Sequence, residues 1–369
     1  MVKGMNMQSV KTENRSQVLY LLNACKQLSR KEIAVRLGLT PAAVTKICNE
    51  LMERGMICEN GETKSQGKSG RREILLSLCL EERRCFGIHA ETDEITFSIC
   101  GFDGTLYQLE SIPFTDKVEE VVQAARRFLS DSGFGPTALE CCSICIIGSP
   151  KEDDFGVWKE PELEKRFELA LGLPVVLENN VRAFAEAELL YGGRKRDDSV
   201  LLLKWGPGVG SAIVTDGKVY SGGDSSVTEI GHYIVKPDGK PCRCGRCGCL
   251  ETEVNEAALR SAFGYHDELP LDEWLKNCDN KAIELMAEKI TMVALALTNT
   301  ATILNTGHVC LFGSVFAYQP IVDKLRQQCF SYHSFLGEDN LVLSSLNDKR
   351  TYIGAAAIGA KHCFFEGTV

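Results

Sequence analysis

Between Gly231 and Glu251 the chain reads G-H-Y-I-V-K-P-D-G-K-P-C-R-C-G-R-C-G-C-L-E, which gathers His232, Cys242, Cys244, Cys247 and Cys249 into one short span. Imidazole and thiolates suit Zn²⁺, and a structural site closes a tetrahedron with four such ligands. Gly245 and Gly248 let the backbone fold tightly around an ion. Reduced thiols or a disulfide knot are the competing explanations, and one histidine among clustered cysteines favours metal. Two carboxylates, Glu229 and Glu251, flank the cluster.

A second set of chemically apt side chains lies near the other end. Thr40 and Pro41 have the types expected at the cap and first position of a helix. Val44, Ile47, Cys48, Leu51 and Met52 then recur at helical spacing and face a core. Ala42, Ala43, Thr45, Lys46 and Asn49 are left on the outer face. Small residues let a helix approach the major groove closely, while Thr, Lys and Asn reach phosphates or base edges. The supporting elements are legible upstream. Val18, Leu19, Leu21, Leu22 and Cys25 share a helical face, and Ser29-Arg30-Lys31-Glu32 has capping-box spacing for a short helix that stops at Gly38. After Gly55, Met56 to Glu59 reads as a strand and Glu73 to Leu78 as its return partner. The basic tip between them, with Lys68, Arg71 and Arg72, suits phosphate or minor-groove contact. The alternative is a small helical domain that docks protein.

Charge separates this head from the rest. Residues 1 to 80 hold 13 Lys+Arg against 7 Asp+Glu, a balance of +6, which leaves −15 on the remainder. A polyanionic partner for the head follows, and the acidic body would repel DNA. No apolar run approaches the roughly 20 residues that span a bilayer, and the opening residues lack a signal-peptide core. The expectation is a cytoplasmic chain with no membrane partner, its 17 cysteines mostly reduced.

From Phe86 the pattern is strand, turn, strand, an Asp103-Gly104 hairpin and a third strand. From Val200 the same plan repeats, with its own hairpin at Asp216-Gly217. Helices are expected over Val118 to Ser130, Val181 to Tyr191 and Lys281 to Asn305. An α/β body built by duplication would hold its ligand between two lobes.

These features together identify the chain as resembling the ROK family of repressors, open reading frames and sugar kinases, in its transcriptional repressor branch, over roughly residues 14 to 365. The match is most specific at E-I-G-H (Glu229 to His232) and C-R-C-G-R-C-G-C-L-E, which fit the family patterns E-x-G-H and C-x-C-G-x-x-G-C-x-E. The resemblance implies a winged helix-turn-helix over 1–80 followed by a duplicated two-lobe, actin-like (ribonuclease H-like) sugar kinase fold. Its first lobe would take 81–182 plus 350–369, and its second 183–349 with the dimer interface. It implies structural Zn²⁺ on His232, Cys242, Cys244 and Cys249, with Cys247 an extra thiol at a free position of the pattern. It also implies a sugar pocket made by Asn179, Asn180, Glu229, His232 and Glu251. Asn179 and Asn180 could instead be helix caps, and the two glutamates could instead support the metal site.

Departures from the family pattern bear on activity. Asn180 stands where the kinases have the aspartate that deprotonates the sugar hydroxyl, and an amide accepts no proton at neutral pH. Gly87 to Asp93 replaces a phosphate-cradling glycine turn with bulkier residues that include Glu91 and Asp93. In the second glycine loop, Gly206 to Gly210, Pro207 offers neither hydroxyl nor N–H. That loop is expected to be a hairpin shaping the lobe interface. The combined expectation is a homodimeric, sugar-responsive repressor on operator DNA, without catalytic residues. The alternatives are an active sugar kinase with an appended DNA-binding domain, and a metal- or redox-responsive regulator.

Overall fold

The computed structural model describes residues 7–62, 73–148, 158, 162–193, 199–221, 228–263, 271–277, 281–333, 335–337 and 339–367. The head is built from α1 (Met7–Cys25), β1 (Leu28–Ser29), α2 (Arg30–Leu37), α3 (Pro41–Glu53), β2 (Ile57–Glu62) and β3 (Ile74–Leu78). Helix α1 begins well before its apolar face, and its early polar residues stay near the surface. The capping box at α2 is complete: Glu32 N–H donates to the Ser29 hydroxyl, and Ser29 N–H donates to Glu32 Oε2 at 2.8 Å. Gly38 ends α2 in the left-handed region (φ 63°) that other residues resist. The Thr40 hydroxyl then accepts the N–H of Ala43, with Pro41 in the first turn of α3. Val44, Ile47, Cys48 and Leu51 are buried as their spacing predicts, in one core with Val18, Leu22 and Ile33. Strands β2 and β3 pair antiparallel. The wing tip, and with it Lys68, Arg71 and Arg72, lies outside the described residues.

The body begins with β4 (Arg84–Ala90), β5 (Glu94–Gly101), β6 (Leu106–Pro113), α4 (Val118–Ser132), β7 (Cys141–Ile146), α5 (Leu163–Leu171), β8 (Val175–Asn179) and α6 (Asn180–Tyr191). Its second half runs β9 (Val200–Trp205), β10 (Val209–Thr215), β11 (Lys218–Val219), α7 (Leu250–Val254), α8 (Glu256–Phe263), α9 (Leu271–Asn277), α10 (Lys281–Leu304), β12 (His308–Phe312), α11 (Gln319–Tyr332) and β13 (Leu341–Leu343). Helix α12 (Ile353–Gly359) and a π-helical turn, Ala360–Phe365, return to the first half. The two sheets have the same plan, β6-β5-β4-β7-β8 and β11-β10-β9-β12-β13. In each, three antiparallel strands are followed by two parallel ones. Asp216 and Gly217 both take positive φ (51° and 68°), as a two-residue hairpin turn of the primed type needs. Strands β7 and β9 are buried along their whole length, which explains their unbroken apolar runs.

Helices α6 and α12 lie between the sheets. They approach closely because Gly354 has no Cβ; one built there would sit 3.1 Å from the Cβ of Ala183. Helix α6 runs unbroken through residues 182 and 183, so a lobe boundary drawn between them divides a continuous element. Helix α10 matches its expected span, with Ile290, Val293, Ala294 and Leu297 fully buried. The head rests on the body through α1. Tyr20 stacks on Phe365 at 4.7 Å, and Asn23 Nδ2 donates to the carbonyl of Leu190, near the end of α6, at 2.9 Å. No helix among the described residues is long and apolar enough to cross a membrane.

Candidate metal centre, ligand pocket and DNA-reading helix

The cysteine loop is folded by short antiparallel bridges, Ile234 with Cys249 and Pro241 with Cys247. Gly248 is required there, because a Cβ would lie 1.5 Å from the carbonyl oxygen of Lys236 and its φ is +67°. This folding brings ligand atoms of His232, Cys242, Cys244 and Cys249 within 4.8 Å of one another. Cys242 Sγ is 3.5 Å from His232 Nδ1, and the sulfurs of Cys244 and Cys249 are 3.5 Å apart. Zinc–sulfur bonds of about 2.3 Å in a tetrahedron set sulfurs about 3.8 Å apart, so the four groups fit such an ion. Cys247 is exposed and lies outside this group. Burial lowers the pKa of His232 and so favours the neutral imidazole that a metal binds. At Cys244 burial acts the other way, but the Arg246 guanidinium, donating to the sulfur at 3.5 Å, helps bring the thiol down to about 7.

All five expected pocket residues line one interlobe pocket. Asn179 and Asn180 come from the first lobe, Glu229, His232 and Glu251 from the second, and the space they enclose is about 40 Å³. With Nδ1 facing the thiols, the imidazole turns Nε2 towards Glu229, 3.7 Å away. Glu251 accepts the N–H of Val209 at 3.2 Å and lies 3.5 Å from Arg243. Of the two asparagines, Asn179 is the helix cap: its Oδ1 accepts the N–H groups of Val181 and Arg182, and its Nδ2 donates to the carbonyl of Gly148. Asn180 is not a cap. It is buried, and its Nδ2 donates to Glu91 Oε1 at 3.0 Å.

Glu91 is the residue whose role the sequence left least visible. Lys204 Nζ, on β9 of the second lobe, reaches both carboxylate oxygens at 2.5 and 2.6 Å, and His89 Nε2 is 2.9 Å from Oε1. Burial alone would push the carboxyl pKa up; Lys204 and His89 outweigh it and hold the group at about 2. The turn where bulkier residues replace a phosphate-cradling glycine turn is therefore occupied, at Glu91, by an internal ion pair. Lys204 and Arg243 were missed as pocket residues. A lone lysine in V-L-L-L-K-W was the available signal, since a buried ammonium needs a carboxylate partner. Beside this pair opens a cavity of about 670 Å³, lined among others by Pro207, Gly313, Ser314 and Arg350. The second glycine loop is the hairpin between β9 and β10, as expected. Its Gly210 lies against Val181 of α6, where a Cβ would be 2.9 Å from Cγ2.

On α3, Ala42, Thr45, Lys46 and Asn49 are exposed together; Ala43 is half-buried, and the Thr45 hydroxyl donates to the carbonyl of Pro41.

Comparison with known proteins agrees with this anatomy. Residues 11–57 match the model described as winged helix-turn-helix DNA-binding. The chain is 26% identical to the DNA-binding transcriptional dual regulator NagC of Escherichia coli (strain K12), covering 96% of this chain and 93% of the relative. It is 25% identical to the xylose repressor of Bacillus subtilis (strain 168), covering 96% of each. In fold it is similar to a ROK family transcriptional regulator described as a homolog of the E. coli MLC protein (TM-score 0.74, 22% identity, 97% of each chain). It is also similar to a ROK family glucokinase from Streptomyces griseus (TM-score 0.64, 22% identity, 75% of this chain and 99% of that one). Residues 85–362 match the ROK family model, and the chain belongs to the ROK family.

Proposed function

We propose that this chain is a sugar-responsive transcriptional repressor that binds operator DNA as a homodimer and has no kinase activity. What supports the reading is that Asn180, Glu229, His232 and Glu251 line one interlobe pocket, beside positions that lack the base and the glycine turn of the kinase pattern. Asn180 offers an amide where proton removal needs a base, and Glu91, bound to Lys204, fills the position of a phosphate cradle. A sugar would be held by hydrogen bonds from Asn180, Glu229, His232 and Glu251. The pocket holds about 40 Å³, well under the roughly 300 Å³ at which ordinary ligand sites begin, so a sugar would enter as the lobes part there.

Zn²⁺ on His232, Cys242, Cys244 and Cys249 would supply structural bracing of the loop that carries His232 and leads into Glu251. That loop also touches α10, where the Thr300 hydroxyl donates to Tyr233 Oη at 3.1 Å. Leu285, Leu295 and Ile303 are exposed apolar residues of α10, which a second copy of the chain would cover. A dimer sets two copies of α3 at fixed spacing on two half-sites, with Thr40, Ala42, Ala43, Thr45, Lys46 and Asn49 at the groove and the wing residues Lys68, Arg71 and Arg72 on the flanking backbone. Lobe movement at the pocket then alters DNA fit, and a coupling of about 1–3 kcal/mol changes operator affinity by about 5- to 150-fold. Operator titration against a panel of sugars and sugar phosphates tests this. At least one should shift affinity within that range, and a coupled ATPase assay over the same panel should show no turnover. Uniform affinity across the panel sinks the sensing role, and steady turnover makes the chain a kinase.

A further inference from the structure

We propose that Lys204 and His89 form a seat for a small oxyanion in which the Glu91 carboxylate sits as a tethered ligand, clamping the first lobe to the second. Three donors from separate elements converge on this one group: Lys204 Nζ from β9 at 2.5 and 2.6 Å, His89 Nε2 from β4 at 2.9 Å, and Asn180 Nδ2 from α6 at 3.0 Å. Lys204 and Glu91 are nearly buried, with side chains 8% and 12% exposed, and a lysine so placed is costly unless an anion faces it. The imidazole donates through Nε2, since a carboxylate can only accept. The seat is reachable, because His89, Glu91, Asn180 and Lys204 all line the 670 Å³ cavity; an anion from solvent can meet the same donors once the tethered one is removed.

Two consequences follow. The lobes are held together by an internal carboxylate, with no nucleotide needed to bridge them. Asn180 has its amide orientation set, because Nδ2 is spent on Glu91 and Oδ1 remains as an acceptor. The clamp itself does not depend on which ligand the neighbouring pocket holds.

Thermal unfolding of the full chain tests the seat, with formate and inorganic phosphate as probes and chloride at equal ionic strength as control. Glu91→Ala should melt several degrees below the native chain. Formate or phosphate should restore at least half of that loss, with an apparent affinity about tenfold or more above any effect on the native chain. Lys204→Met placed in the Glu91→Ala background should abolish the rescue. Equal response of native chain and Glu91→Ala, or rescue that survives Lys204→Met, overturns the proposal. If Glu91→Ala does not fold, Lys204→Met is compared with the double variant Glu91→Gln/Lys204→Met. The clamp requires the double variant to be the more stable, and a double variant no more stable than Lys204→Met refutes it.

Discussion

The two lobes share a strand order and a hairpin at the same place, yet the turn that ends the central strand does opposite things in each. After β4 the chain puts a carboxylate, Glu91, at the interlobe surface and closes the turn with Glu91 N–H donating to the carbonyl of Glu94 at 2.9 Å. After β9 it puts Gly206-Pro207-Gly208, which carries no charge; a Cβ on Gly206 would meet Ser314 Oγ at 2.8 Å. One loop supplies an anion and the other supplies room. Only the second lobe adds a cysteine loop between its meander and its first helix; the first lobe passes from β6 to α4 directly. Repetition has set the backbone, and the chemistry has been written asymmetrically on loops at equivalent positions.

The strongest break of this symmetry is the cysteine loop, proposed above to hold Zn²⁺. Cys249→Ser, or a chelator, should destabilise the second lobe and leave the first largely protected. We expect a fall of about 10 °C in melting temperature. Hydrogen exchange would place the lost protection in α7, α10 and the loop ahead of them, and equal loss in β4 and β7 would show that the lobes unfold as one.

Next in size is Lys204→Met, which leaves Glu91 buried without its cation and should cost about 3–5 kcal/mol by denaturant unfolding. Its pH dependence has a defined sign. The carboxyl of Glu91 is held at about 2 against an ordinary 4.5, so the native pair contributes fully above 4.5 and loses its contribution as pH falls towards 2. The deficit of Lys204→Met should therefore narrow across that window, and a deficit constant from pH 7 to pH 3 would show that packing, not charge, is lost.

This pair also marks where reading from sequence stops. The duplication was legible from two Asp-Gly turns, the grouping of His232 with the cysteines from their spacing, and α3 from its cap and apolar period, because each depends on residues close to one another in the chain. Glu91 and Lys204 are 113 positions apart and meet only when the lobes fold together. Glu91 stood out as a departure from the glycine turn, but nothing local showed what would neutralise it. Asn179 and Asn180 are adjacent and of one type, yet one caps α6 and the other faces Glu91. The turn from β8 into α6 decides that, and it was not visible as a pattern. The reach of α1 to Met7 escaped for a similar reason, since its first turns bury no apolar face to register a period.

A smaller effect should follow from Asn23→Ala at the junction of head and body. Helix α6 begins with Asn180 at the interlobe pocket and runs unbroken past Leu190, whose carbonyl accepts from Asn23, so it joins the pocket to the head. Loss of this hydrogen bond should cost about 1 kcal/mol of stability. Operator affinity without ligand should change less than the ligand-induced shift, which should shrink. An unchanged shift would route the coupling through the Tyr20–Phe365 contact instead.

The smallest change expected in the folded molecule is at the head's outer surface, where Lys46→Ala can be set against Lys165→Ala on α5 of the acidic body. Both lysines are exposed, and neither substitution should move stability by more than about 0.5 kcal/mol. Their effects on DNA should differ. A lysine that neutralises one phosphate releases counterions on binding, so its loss makes the log–log salt slope of operator affinity shallower by about 1. Lys46→Ala should show this with operator and with unrelated duplex alike, because a phosphate contact carries no sequence information. Lys165→Ala should leave the slope where it was. A slope change for Lys46→Ala confined to the operator would instead place its ammonium on a base edge, and equal slopes for both variants would take α3 out of the DNA interface.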